Sequence, residues 1–463
     1  MTTNGNVSFW YAADGLPAPR PALAGDLDVD VAIVGAGYTG LWTAYYLAKA
    51  DPSLRIAVLE ARFAGFGASG RNGGWLANTI TGGRAGYVAS HGRAVVGDFQ
   101  RMLNDTVDEV ISVAAAEGIE AHIVKGGELL VARNAAQLTR LEALAAEQAK
   151  WPEDDAVRLS TDETNARVRV AGALGGIHIP HCARIHPARL VQGLAQAVQR
   201  LGVVIHENTL VTEIRTGGRG KPAAAVTERG TVRAHHVLRA TEGFTANLAA
   251  AHRDWLPMNS SMIVTEPLDA ATWAEIGWEG CETLEDFAHA YVYLQRTHDG
   301  RIAIGGRGVP YRFGSRTDTD GATQPKTIET LTGILHSMFP AADGARIDHA
   351  WSGVLGVPRD WKASVNYDPA TRLGFAGGYV GTGVTATNLA GRTLADLVMG
   401  RDTKATSMPW VNRTVRRWEP EPLRWIGVQA MYAMYHRADR QEAGGRATTS
   451  PLALLADKVS GRR

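Results

Sequence analysis

The eleven residues DVAIVGAGYTG at positions 30–40 confine this chain to a narrow set of folds. Val31, Ile33 and Val34 make a short β-branched run with no polar face, the pattern of a parallel strand buried on both sides. Gly35, Gly37 and Gly40 follow with G-x-G-x-x-G spacing. The first permits a tight turn, the second lets backbone approach a pyrophosphate, and the third lets the next helix pack closely on its strand. LWTAYYLAKA continues as that helix, whose N-terminal N–H groups and dipole favour an anion. A second apolar run, RIAVLE, ends in Glu60, 20 residues after Gly40, where a carboxylate accepts hydrogen bonds from ribose hydroxyls. An acid there favours an unphosphorylated ribose, so FAD or NAD rather than NADP, and the motif does not choose between those two.

Composition narrows the partners. Of 463 residues, 48 are basic and 47 acidic, a net charge of +1 that offers nothing to nucleic acid or an anionic membrane surface. The 52 glycines suit a fold with many tight turns and close backbone-to-ligand approaches. Cys182 and Cys281, outside any C-x-x-C, read as two buried thiols in a reducing cytoplasm. The first residues lack a basic-then-apolar signal pattern, and no run of 18 apolar residues predicts a membrane span.

Residues 1–27 are rich in Pro and Gly and are expected to be extended, with Phe9, Trp10 and Tyr11 pinning the arm to the body. Helices are predicted over 93–118, 134–150 and 187–201, the last opened by Pro187. HIVKGGELLVAR reads as a strand or hairpin, GVVIHENTLVTEIRT as a strand pair and TVRAHHVLRAT as a further strand. From Trp255 onward, LPMNSSMIVTEPL, HAYVYLQRTHDGRIAIGGRG and DHAWSGVLGVPRD predict an antiparallel sheet with a hairpin turn at 298–300. A strand, glycine turn and helix return in TRLGFAGGYVGTGVTATNLAGRTLADLVMG. Residues 404–463 read as a mostly helical extension whose aromatics are core or oligomer contacts.

The glycine-dense stretch GFGASGRNGGW at 65–75 decides the chemistry. Ser69, Arg71 and Asn72 supply a hydroxyl, a guanidinium and an amide, while Gly67, Gly70, Gly73 and Gly74 expose backbone N–H groups. Together these suit a clamp on a pyrophosphate and a close approach to a planar ring. With this loop in place, IVGAGYTG, LEAR, GASGRNGG and GGYVGTGVTATNLAGRTLADL resemble the FAD-dependent amine and amino-acid oxidoreductases of the D-amino-acid oxidase and glycine oxidase superfamily. The GASGRNGG loop is most similar to the γ-glutamylputrescine oxidoreductase and D-amino-acid dehydrogenase branch.

The resemblance implies an α/β fold: a glutathione-reductase-type FAD-binding Rossmann domain with an inserted antiparallel-sheet (α+β) substrate domain and a helical C-terminal extension. The expected segments are an arm at 1–27, a discontinuous FAD domain at 28–90, 160–252 and 353–403, a substrate domain at 91–159 and 253–352, and the extension at 404–463. The sequence offers no evident covalent flavin anchor, so FAD is expected to be held non-covalently. Gly35, Gly37, Tyr38, Thr39 and Gly40 would meet the pyrophosphate and Glu60 the adenosine ribose. Ala61 and Arg62 would lie toward the adenine, and Val211 would meet it through backbone. Ala68, Ser69, Arg71, Asn72, Gly73 and Gly74 would hold the pyrophosphate and the ring, and Gly381, Thr382, Gly383 and Val384 the N1–C2 edge of the isoalloxazine. The implied reaction is hydride transfer from an amine Cα–H to flavin N5, with hydrolysis of the imine and reoxidation by O2 or another acceptor; no side-chain base is required.

For the substrate, Arg307 is the first candidate for an anionic group, a domain-bridging arginine being the alternative. Trp351 reads as a pocket wall or as core, and Trp75 as packing near the ring. His289, Tyr291 and Tyr293 alternate on one predicted strand and therefore share a face, either the pocket or an ordinary sheet face. His178, His181 and His186 lack a ligand pattern, so no metal is expected. Competing readings are a flavin-dependent oxidation of a 2-hydroxy acid or polyol phosphate, a non-catalytic FAD-binding protein and an NAD-dependent dehydrogenase. Oligomerisation is left open.

Overall fold

The computed structural model describes residues 2–218, 220–306, 308–317 and 320–461. Two large sheets organise it. In the first, Leu27–Val34 lies between Gly230–Arg239 and Ile56–Leu59, with Val204–His206 beyond, all parallel. Val31 and Ile33 enter one core while Ala32 and Val34 enter another, so the strand has no side on which a polar residue meets water. The helices Tyr38–Ala50, Pro187–Arg200 and Gly383–Val398 contribute to the first of these cores. Leu373–Gly377 pairs in parallel with Gly230–Arg239 and leads directly toward Gly383–Val398, the strand, turn and helix expected from the sequence.

Among the described residues, the second sheet has nine strands. The antiparallel pair Trp255–Thr265 and Ile347–Pro358 forms its longest contact, and Tyr293–Arg296 and Ile302–Gly306 make the expected hairpin around 298–300. Alternation sorts its side chains. Ile263, Leu294 and Ile304 join a core with Trp278, Leu335 and Phe339, whereas Met262, Tyr293 and Ala303 pack with Phe66 and Trp10 on the face toward the glycine loops.

The chain changes sheets at residues other than those expected. Gly175–Ile179 pairs with Glu128–Ala132 and Val157–Leu159 in the second sheet, although 160–252 was assigned to the FAD domain. Ile347–Pro358 stays in the second sheet past residue 352. The helix Ala85–Ala116, broken at Gly92, sends Val96, Phe99, Leu103 and Val107 into the core of the first sheet rather than the second. Val204–His206 and Val211–Arg215, expected as a pair, lie at opposite ends of the first sheet. In each case local pattern gave the element and long-range packing chose its partner.

The N-terminal arm is more structured than an extended segment. Thr3–Asn4 pairs with Ile347–Pro358, and Phe9–Ala12 forms one helical turn that buries Phe9, Trp10 and Tyr11. At the other end, the helices Leu423–Ala443 and Pro451–Ser460 pack against Leu256, Met258 and Tyr311. Cys182 is buried, but Cys281 is partly exposed, against the expectation of two buried thiols. No described helix is long and apolar enough to cross a membrane.

Candidate functional site

The first glycine turn is held on both sides. Gly35 has φ +104°, and a Cβ on it would stand 2.6 Å from the Ala240 carbonyl oxygen, so only glycine fits. Glu60 accepts hydrogen bonds from the Ala36 N–H at 2.8 Å and the Arg62 N–H at 3.0 Å. Burial raises its pKa and these donors oppose the rise. At Gly37 a Cβ would come within 2.9 Å of Ser69 Oγ, and Ser69 Oγ accepts from the Tyr38 N–H at 2.9 Å. The second glycine loop therefore touches the helix start opened by the first. Tyr38 serves this seat through backbone alone, because its hydroxyl is buried and donates to the Pro187 carbonyl at 2.9 Å. Val211 is buried near this end, in one core cluster with Val34 and Leu59.

The loop at 65–75 is braced from beneath, which corrects two expected roles. The Arg71 guanidinium is buried and donates to the Phe66 carbonyl at 2.8 Å and the Ser352 carbonyl at 3.3 Å. Asn72 donates to the Ala68 and Ser69 carbonyls and accepts from the Gly74 N–H. Both side chains shape the loop instead of pointing out of it. Backbone N–H groups, Ala68 and Ser69 remain on its partly exposed side. Gln295, which sequence reasoning missed, donates to the Gly73 carbonyl at 2.6 Å and so ties the loop to the second sheet.

The other glycine turn, Gly377–Gly381, precedes the helix Gly383–Val398. Gly381 has φ +107°, and a Cβ there would meet nothing within 4 Å, so the turn opens onto space. Thr382 makes no side-chain cap, which leaves the first N–H groups of the helix to a ligand. Two hydroxyl pairs join this turn to the rest of the groove: Tyr379 with Thr39 at 3.0 Å, and Thr382 with Thr81 at 3.0 Å. Glu242, also missed from the sequence, accepts from the Gly378 N–H at 2.8 Å and the Tyr379 N–H at 3.3 Å. The signal available was an acid just after an apolar strand, RATEG, placed as Glu60 is after its own strand.

Two helix starts, two glycine turns and Ser69 thus meet. Their donors are backbone N–H groups and a hydroxyl, and the space beside Gly37 and Gly381 admits no added side chain at one end and leaves room at the other. This donor set, backbone N–H groups at two helix starts with a hydroxyl and a carboxylate, fits a dinucleotide such as FAD.

The substrate candidates separate. Tyr293 is half-buried; its ring stands against Gly73 and Gly305, lies edge-on to Trp75 with centroids 6.1 Å apart, and its hydroxyl pairs with Ser260 at 2.8 Å. Tyr293 and Trp75 therefore stand together beside the glycine loop. His289 does not join them. The strand spans only Tyr293–Arg296, because Asp286 folds the preceding segment back by accepting the Val292 N–H, and the expected alternation through Tyr291 stops there. His289 instead pairs with Glu442 at 2.9 Å and stacks on Tyr435 of the C-terminal extension. Trp351 is fully buried, and its indole N–H donates to the Arg71 carbonyl at 2.8 Å; it supports the loop as core and forms no pocket wall. Arg307 lies outside the described residues.

Histidines 178, 181 and 186 part company: the first meets the Gly126 carbonyl, the second Asp155, and the third caps Pro187–Arg200. The group His289, Asp439 and Glu442 brings its donor atoms within 4.8 Å, but Arg140 pairs with Glu442 and Asp439 accepts the His289 and Ala290 N–H groups. Those contacts make it a cross-brace between the sheet and the extension.

Comparison with known proteins agrees with this donor set. The family model for FAD dependent oxidoreductases matches residues 30–397. The γ-glutamylputrescine oxidoreductase of Escherichia coli is 30% identical over 86% of this chain and 90% of its own length. The sarcosine oxidase subunit beta of Rhodobacter capsulatus is 25% identical over 84% of this chain and 88% of its own length. Among solved structures, glycine oxidase from Geobacillus kaustophilus superposes with a TM-score of 0.67 at 22% identity, covering 81% of this chain and 96% of that one. At that identity the likeness speaks for the fold.

Proposed function

This chain belongs to the FAD-dependent oxidoreductase family, and we propose that it oxidises the carbon–nitrogen bond of a small amine or amino acid. The observation that carries the reading is the meeting of Tyr293 and Trp75 with the loop Gly73–Gly74, which sets the inserted sheet against the ring end of the FAD groove. The activities named for the γ-glutamylputrescine and sarcosine enzymes support an amine as the substrate class.

FAD, when bound, supplies the two-electron acceptor. Ser69 and the N–H groups after Gly35 and Gly37 orient its pyrophosphate, and Glu60 takes ribose hydroxyls. The uncapped helix start at Gly383 favours negative charge at the ring edge. Tyr293 and Trp75 hold the substrate's Cα–H toward the ring and exclude water from that side. The amine binds deprotonated, so no side chain acts as its base, and the product imine is hydrolysed to an aldehyde or oxo acid. FAD is held non-covalently, electrons pass on to O2 or another acceptor, and the protein works in the cytoplasm, as its low cysteine content supports.

The test is anaerobic mixing of purified protein with panels of amines, amino acids, 2-hydroxy acids and polyol phosphates while flavin absorbance is followed. Bleaching by an amine is expected. Bleaching by hydroxy acids alone would replace this reading, and bound flavin that nothing bleaches would point to a non-catalytic protein. Arg307 is proposed to bind an anionic group of the substrate through its fork. Arg307→Ala should raise KM for an anionic amine about tenfold or more, the loss of a charged hydrogen bond, with flavin content unchanged; an unchanged KM removes it from the site.

A further inference from the structure

Glu242 joins three parts of the molecule through one carboxylate. One oxygen accepts from the Gly378 N–H at 2.8 Å; the other accepts from Gly356 N–H at 3.1 Å and Tyr379 N–H at 3.3 Å. Glu242 itself follows the parallel strand Gly230–Arg239, Gly356 belongs to the second sheet, and Gly378 and Tyr379 form the ring-edge turn. Its backbone sits at φ +41°, a conformation that costs a non-glycine residue about 1 kcal/mol or more and that the surrounding contacts must hold. Among the described residues it has no ion pair.

Three N–H donors on two oxygens suit the anion best. A carboxylic acid accepts more weakly at its protonated oxygen, and an amide would turn its NH2 group toward at least one N–H. Burial works the other way and raises the Glu242 pKa to about 7, so both forms are populated near neutrality. The charged and titratable groups around it are few. Arg239 stands on its own strand and pairs with Asp254, Arg417 also pairs with Asp254, and Tyr379 comes from the turn. The second sheet offers Gly356 and Trp255, which carry no charge.

The turn that Glu242 grips reaches both helix starts. The Tyr379 hydroxyl meets Thr39 in the first turn of Tyr38–Ala50, and the Tyr379 carbonyl accepts from the Thr382 N–H and hydroxyl at the start of Gly383–Val398. We propose that Glu242 is a positioning residue for FAD: its anion fixes the ring-edge turn, and protonation releases it. This rests on the FAD reading of the groove and adds a pH-sensitive hold on its ring-edge turn.

The test measures FAD dissociation from wild type, Glu242→Gln and Tyr379→Phe between pH 5.5 and 8.5 by flavin fluorescence, with the flavin visible spectrum recorded on each holoprotein. Wild type should bind FAD several-fold more weakly at pH 5.5 than at 8.5. Glu242→Gln should bind about tenfold more weakly at high pH and lose that pH dependence. Tyr379→Phe should weaken binding a few-fold while keeping it, and serves as the readout if Glu242→Gln does not fold. Wild-type affinity and pH profile in Glu242→Gln, or an unchanged dissociation constant in Tyr379→Phe, overturns the proposal. A wild-type protein that takes up no FAD at any pH overturns the cofactor reading itself.

Discussion

The two glycine turns of the groove are built alike and wired differently. Each follows a parallel strand, each opens a helix, and each has its N–H groups held by a partly buried carboxylate: Glu60 for Ala36, Glu242 for Gly378 and Tyr379. Glu60 lies on the neighbouring strand, 24 positions from the amide it holds. Glu242 lies 136 positions from Gly378 and draws a third amide from the other sheet. The first turn is thus completed within the first sheet and the loop beside it. The second also draws on the other sheet.

That contrast can be broken experimentally. The largest effect is expected from Gly35→Ala, where φ +104° and the nearby Ala240 carbonyl leave no room for a Cβ. A loss of about 2–4 kcal/mol is expected, with flavin-free or insoluble protein; calorimetry and flavin content check it, and a wild-type melting temperature would show that the turn is slacker than its geometry. Next comes Glu60→Ala, which removes the acceptor for Ala36 and Arg62. FAD affinity should fall by about 10- to 100-fold, the range of a charged hydrogen bond.

The smallest effect concerns stability without cofactor. Glu242 has a folded-state pKa raised to about 7 from an ordinary value of 4.5, so folding favours its neutral form. Its contribution is fully present below the ordinary value and is lost as pH rises through about 7. The melting temperature of apoprotein relative to Glu242→Gln should therefore fall by a few degrees between pH 5 and 8. FAD retention should move oppositely, since the anion that destabilises the empty protein is the form that grips the turn. A difference flat in pH would show that Glu242 keeps one charge state throughout.

Sequence reasoning read the first turn well because its determinants are local. Gly35, Gly37, Gly40 and Glu60 sit at fixed offsets within one supersecondary unit, and Ser69 follows in the next loop. The strand, turn and helix around Gly381 were legible for the same reason. What failed was pairing at a distance. Arg71 and Asn72 looked like outward clamps because the carbonyls that absorb them, Phe66 and Ser352 among them, are invisible to spacing. His289 looked like a pocket residue because period-two alternation says nothing about where a strand stops, and Asp286 stops this one. Trp351 was placed on the correct strand, but its face is closed by Phe9 and Trp10 from the other end of the chain.

That arm carries a consequence for handling the protein. Ser8 Oγ donates to the Gly70 carbonyl, Trp10 Nε1 to the Asn72 carbonyl and Tyr11 Oη to the Gly65 carbonyl, three bonds to the loop proposed to seat the cofactor. The residues that follow, from Ala12 to Leu16, are exposed. A protease that cut there would leave the aromatic turn behind as a detached but seated peptide, much as a cork stays in a bottle. Cofactor loss would then lag behind the cut, and dilution or mild denaturant, rather than cleavage itself, would release the yellow colour.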